Sequence, residues 1–240
     1  MLKVKLTDNY TGFNISGDYK DLNCLYDAIH YFIADDYDNL GKYMMQTHIY
    51  GFLYDVRHAY GHSRDYELVN NGLDDNSIVV LGLTKDDVTE NNMYFSFNYF
   101  LPDLILDIIL IKNFINVEDK IYNSSYNMIN FFYSLVIESL YKILDEKEIN
   151  KIKLGLMNAN ISPDNFIPQW FENTTIDYLK MDKQKREKEI TKILDHIYNY
   201  NQYNDFLEMK KDLEKTCIDK NCNLDDLHIK GTDYPKDIIW

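Results

Sequence analysis

At 240 residues, with 45% hydrophobic side chains and a formal charge of −14, the chain is long enough for one substantial core or a core with an appended subdomain. The acidic excess disfavours long-range capture of DNA or RNA and makes a partner with a basic surface, or a small locally held substrate, the simpler expectation. Three cysteines form no staple framework and the first ten residues, MLKVKLTDNY, lack a signal-peptide apolar run, so a cytoplasmic protein is expected.

Leu2, Val4 and Leu6 alternate with lysines, and Asp8 to Gly12 carries turn chemistry before the alternation of Phe13 to Ser16, which predicts an opening β-hairpin. Asp18 is placed to cap a helix with Asp21 in its first turn, and Leu22, Leu25, Tyr26, Ile29 and Ile33 make its apolar stripe. The acidic stretch Asp35 to Asp38 reads as a connector. Met45, Ile49, Phe52 and Val56 trace a second helix, which Gly61 ends or loosens. Tyr66, Leu68 and the Asn71-Gly72 turn then predict a second short hairpin with Ile78 to Leu81, and Met93 to Phe97 is a further strand.

Pro102 suits the first turn of a helix that is apolar on almost every side through Ile115. Asp103, Asp107 and Lys112 interrupt it, and it is too short to cross a bilayer, so it reads as a central core helix with no membrane role. Asn123 to Leu144 predicts a second core helix, and Asp145 with Glu148 resembles a capping box for a third. Ser162-Pro163 opens a segment, including Trp170, that reads as irregular. Two less hydrophobic helices follow, striped by Ile190, Ile193, Leu194 and Ile197 and by Phe206, Leu207, Met209 and Leu213.

The chemistry concentrates between Met44 and Asn71. Two of only three arginines in the chain, Arg57 and Arg64, fall in one octapeptide with His58 and His62. A planar guanidinium is needed where a carboxylate or phosphate must be gripped by two donors at once. Asp103 and Asp107, four residues apart, project from one helix face as paired carboxylates, for acid–base chemistry or as buried partners of the two arginines. Asp55, His58 and His62 share a face of an unbroken helix and are a weaker metal-ligand set. Cys217, Cys222 and His228 lack zinc-knuckle spacing, so neither metal nor cofactor is expected. The basic run Lys183 to Lys188 reads as a solvated helix face.

The spelling RHAYGH, from Arg57 to His62, resembles the R-x4-6-H motif of the HEPN ribonuclease superfamily over six residues. The resemblance implies metal-independent RNA cleavage by a homodimer, with Arg57 stabilising phosphate charge, His58 as the polar accessory residue and His62 as acid/base. Arg64, Asp103 and Asp107 would support the substrate. More broadly, GDYKDL after a hairpin, YDVRHAY ending a helix, and YFSF before Pro102 resemble an uncharacterised bacterial family of unknown function.

The expected fold class is α+β, a mainly helical body with small antiparallel hairpins in its N-terminal half. A mixed part over 1–160 would be followed by a helical extension over 161–240 on the same core. Two functions are carried forward: a HEPN-like metal-independent ribonuclease, as a toxin or phage-defence effector with an RNA substrate, and a non-catalytic acidic interaction protein whose arginine and histidine cluster is structural.

Overall fold

The opening alternation builds β1 (Lys3–Leu6) and β2 (Gly12–Gly17), joined by a turn in which Thr7 N donates to Gly12 O at 2.9 Å. The structure is a computed structural model that describes residues 1–34, 40–84, 86–116, 120, 122–158, 166–199, 202–227 and 233–240. Asp18 caps α1 (Tyr19–Ile33) as expected. Its carboxylate accepts from Asp21 N at 2.9 Å and the Asp21 carboxylate accepts from Asp18 N at 3.1 Å, which closes a capping box. The acidic connector lies outside the described residues. In α2 (Leu40–His58), Met45, Ile49, Phe52 and Val56 are all buried, so the predicted stripe faces the core.

The second expected hairpin is corrected. β3 (Asp65–Asn70) forms, but Ile78 to Val80 belongs to a short helix, α3 (Asp75–Val80). Asp74 accepts from Ser77 N at 2.7 Å, so the Asp-Asp-Asn-Ser stretch satisfies a first-turn donor and starts a helix before the β-branched run. β3 pairs instead with β4 (Asn91–Phe100), whose longer alternation also pairs with β2. All four strands form one antiparallel sheet in the order β1-β2-β4-β3. One face carries Phe13 and Ile15 of β2 and Phe95 and Phe97 of β4, all buried against the helices.

α4 (Leu101–Lys112), with Pro102 in its first turn, is buried on nearly every side and forms the central helix. Phe52 of α2 meets Phe97, Tyr99 and Phe132 at ring distances of 6.0, 5.0 and 5.8 Å, and truncating such a residue costs about 3–5 kcal/mol. α5 (Ser124–Leu140) is capped by Asn123, and Asp145 and Glu148 exchange the predicted capping bonds at the start of α6 (Glu146–Asn158). The boundary near Asn160 and the Ser162-Pro163 step lie outside the described residues.

Trp170 is not in irregular chain. It sits in α7 (Ile167–Leu179), with Pro168 in the first turn. α8 (Lys183–Tyr198) and α9 (Asn204–Lys220) follow as predicted. Trp170, Phe171, Ile190, Ile193 and Phe206 join the same core as the N-terminal elements. The basic run departs from expectation at Arg186, which is buried. Its guanidinium donates to the carbonyls of Asn9 (3.0 Å) and Leu179 (2.7 Å) and to Thr11 Oγ1 (2.8 Å), fastening α8 to the β1–β2 turn. Among the described residues no helix is long and apolar enough to cross a membrane.

Candidate functional site

α2 delivers the arginine and histidine cluster to one end of the sheet. After His58 the helix widens into a π turn, Ala59–Ser63, with only Ala59 buried. His62 closes the turn in the left-handed region, at φ 63° and ψ 23°, a conformation that costs a non-glycine residue about 1–2 kcal/mol. That backbone turns the chain outward. The His62 ring stands edge-on to Phe95 at 4.7 Å while the residue stays exposed.

Beside the turn lies a cleft of about 910 Å³, lined by His62, Arg64, Asp55, Asp103, Tyr99 and Trp240 among others. Its origin is in the strand register. β3 begins at Asp65 opposite Ser96, so Phe97 to Phe100 of β4 extends past the end of its neighbour and leaves a notch. Leu101 N donates to Thr11 O at 3.1 Å and Asn71 N to Glu90 O at 2.9 Å. By antiparallel alternation, the N–H and C=O of Asn98 therefore point toward the notch and away from β2. Phe100 stacks on Trp240 with ring centroids 5.0 Å apart and gives the cleft an aromatic wall.

Beneath this wall is a buried polar network. Asp107, 0% exposed, accepts from Tyr99 OH at 2.8 Å and shares a 2.8 Å hydrogen bond with His48 Nδ1. Burial alone would lower the His48 pKa, but the charge and hydrogen bond of Asp107, helped by Asp103 and Glu172, raise it to about 9. His48 is therefore a cation at neutral pH and Asp107 is its counter-ion. One helical turn away, Asp103 accepts from Thr175 Oγ1. Burial pushes its carboxyl up to about 6, against the opposing pull of His48 and the Thr175 hydrogen bond. Burial first, then Asp107 and Asp103, hold the Tyr99 phenol well above its ordinary range.

This arrangement corrects the expected partnership between the carboxylates and the arginines. Asp107 takes His48, and Arg64 Nη2 donates to Asp55 at the exposed rim. Arg57 is exposed, makes no ion pair among the described residues, and is not among the residues lining the cleft. It lies on the α1 side, near enough to Tyr60 to act on its phenol. His58 packs on Tyr54 at 3.9 Å. His62, Arg64 and Asp103 thus share the cleft, Asp107 backs it, and Arg57 and His58 stand outside.

Residues 2–240 match the family model described as "Domain of unknown function (DUF6904)". The chain belongs to this family. No curated protein and no solved structure matches it. In this DUF6904 chain the possible metal sets do not assemble. Asp55 is engaged by Arg64, while His58 and His62 face different rings. Among the described residues no three His, Cys, Asp or Glu side chains are grouped to hold a metal ion. Cys217 and Cys222 are free thiols, and His228 lies outside the described residues.

Sequence reasoning missed His48 and Tyr99. The available signal was local for both: His48 lies one turn before Phe52 on the α2 stripe, and Tyr99 lies two residues beyond Phe97 on β4.

Proposed function

We propose that this DUF6904 chain is a metal-independent endoribonuclease working at the cleft beside the π turn. The observation that carries the reading is that Arg57 and His62 are both exposed and bound to no carboxylate among the described residues, as a residue that must reach substrate requires. A purely structural cluster would spend them on buried ion pairs.

In the proposed reaction a ribose 2′-hydroxyl attacks the adjacent phosphorus and gives its proton to His62. The bond from phosphorus to the 5′-oxygen breaks, and Asp103 protonates that oxygen. The products are a 2′,3′-cyclic phosphate and a free 5′-hydroxyl. Arg64 at the rim offsets the charge that gathers on phosphate, and Arg57, outside the cleft on the flank of α2, holds the RNA strand beyond it. Asp103 holds its proton below about pH 6, so cleavage should weaken above that value. The acidic lining of the cleft also repels RNA least at low pH.

The test is cleavage of single-stranded and structured RNA in EDTA at mildly acidic and mildly alkaline pH. The wild-type protein should cleave, more strongly on the acid side. His62→Ala should abolish cleavage and Arg57→Ala should weaken RNA binding, both with melting temperatures nearly unchanged. Absence of wild-type cleavage at both pH values, or full cleavage by His62→Ala, refutes the proposal.

A second reading, an acidic interaction protein, has its own observation. Asp55, Asp65 and Asp103 line the cleft with only Arg64 opposing them, and the open Asn98 backbone offers an edge to an extended chain. A lysine- and arginine-rich peptide should then bind with an affinity that falls as salt rises and that Asp65→Asn weakens.

A further inference from the structure

β3 is an edge strand. Its inner side bonds to β4, and among the described residues its outer side pairs with no strand. The bond from Asn71 N to Glu90 O fixes the phase of the ladder: Asp65, Glu67 and Val69 bond toward β4, while Tyr66, Leu68 and Asn70 turn their N–H and C=O groups outward. Edge strands are commonly protected by proline or lysine, and DYELVN contains neither.

The side chains are equally exposed. Tyr66 and Leu68 stand opposite Phe95 and Met93, on the same face as the buried Phe97 and Ile15. The helices cover that face over β2 and β4 and stop short of β3. Phe95 is buried at 3%, whereas Tyr66 and Leu68 are 66% and 64% exposed and Met93 is exposed beside them. The apolar core face therefore runs uncovered to an edge of outward-turned backbone groups.

We infer that β3 pairs antiparallel with β3 of a second copy of this chain, with Leu68 opposite Leu68 on the twofold axis, making one continuous eight-stranded sheet. The register follows from symmetry and charge. A twofold axis perpendicular to the sheet pairs a residue with itself or with one an even number of positions away, because paired side chains must share a face. The axis therefore passes through one residue of β3, and centring on Asp65 or Glu67 sets an acidic side chain directly against its own copy. Centring on Tyr66 sets Asp65 against Glu67 of the other copy, two like charges directly opposed. Centring on Val69 or Asn70 leaves Tyr66 without a partner residue in β3.

Centring on Leu68 pairs Tyr66 with Asn70 and Glu67 with Val69, and allows roughly six interchain backbone bonds. It joins Tyr66, Leu68 and Met93 of the two copies into one apolar strip. Arg64 lies four residues from the axis, roughly 13 Å along the strand, so each copy keeps its own cleft. The pairing is argued from β3 alone and does not depend on what the cleft does.

Sedimentation of the full chain over a micromolar concentration series should show a dimer. Leu68→Lys places two ammonium groups on the axis and should raise the dimer dissociation constant more than about tenfold, with circular dichroism and melting of the protomer preserved because residue 68 is exposed. A wild-type monomer throughout the series overturns the inference, and so does a Leu68→Lys variant that dimerises like wild type. A second measurement tests the register, in a Cys24→Ser, Cys217→Ser, Cys222→Ser background with oxidised glutathione as oxidant. Leu68→Cys should form an interchain disulfide, since directly paired Cα atoms lie about 5.5 Å apart. Val69→Cys should not, its Cα atoms lying roughly 8 Å apart. Equal cross-linking at both positions, or none at residue 68, refutes the register.

Discussion

Replacing His48 by leucine should change the stability of the protein in a way that depends on pH with a definite sign. His48 ionises at about 9 in the folded protein against 6.5 for the free side chain, because it is held beside the fully buried Asp107. The folded state binds the proton more tightly, so the contribution is fully present below pH 6.5 and is lost as pH rises through about 9. At 1.36 kcal/mol per pK unit the shift is worth roughly 3 kcal/mol, or roughly 6–12 °C in melting temperature for a domain of this size. Asp103, pushed up to about 6, titrates at the lower edge of this window, so the slope is read from pH 7 to 9. Thermal melts from pH 7 to 9 should therefore fall for the wild type and fall much less for His48→Leu. The variant should also lose about 3–5 kcal/mol near pH 6.5, because the fully buried Asp107 loses its cation partner. His48→Leu combined with Asp107→Leu should cost less than the two single changes added together. A wild-type melting temperature that is flat across the window, or a slope of undiminished size in His48→Leu, would refute the ion pair.

Two further predictions concern single residues. Arg186→Lys should destabilise by about 3 kcal/mol or more in denaturant unfolding, because an ammonium cannot span the acceptors on Asn9, Thr11 and Leu179 that the guanidinium joins; a loss under about 0.5 kcal/mol would show that this clamp is dispensable. His62→Gly should stabilise by about 0.5–1 kcal/mol by relieving a left-handed backbone, while removing RNA cleavage if the proposed chemistry holds, and loss of stability would mean that the Phe95 contact outweighs the strain.

The parts of the fold legible in the sequence are those whose causes are local. The α1 capping box needs only Asp18 and Asp21, and the Asp145 and Glu148 pair announces α6 in the same way. α4 is legible because Pro102 and a run that is apolar apart from Asp103, Asp107 and Lys112 leave little alternative. α3 departs from the expected strand because Ile78, Val79 and Val80 favour a strand by type, while Asp74 and Ser77 satisfy a helical first turn. In α7, Pro168 carried the same first-turn signal as Pro102 but was overshadowed by the earlier Ser162-Pro163. Arg186 was hidden by its five charged or polar neighbours.

At the site, the sequence isolated His62, Arg64 and Asp103, which share the cleft. It could not assign partners, because Asp107 finds His48 across 59 positions and no local pattern records that contact. Arg57 and His62, grouped by a short motif, point to different surroundings because the π turn intervenes between them.

The buried pair and the cleft are physically one system. Asp107 holds the phenol of Tyr99, and Tyr99 lines the cleft, so the ion pair fixes the position of one wall. Asp103 lies one turn from Asp107 on the same rigid helix and feels the His48 charge directly: the cation holds its pKa down while burial pushes it up. The acidity of the half-buried Asp103 carboxyl that lines the cleft is therefore set from inside the core. Removing the His48 charge would leave burial and the neighbouring carboxylates opposed only by the Thr175 hydrogen bond and push the Asp103 proton affinity higher, so the loss of activity on the alkaline side of any chemistry that uses Asp103 as proton donor would move to higher pH. A core that needed only stability could replace such a pair with packed apolar side chains at little cost. Placing it one turn behind a cleft-lining carboxyl, with its tyrosine in the cleft wall, gives the charge a second consequence that an apolar replacement could not supply.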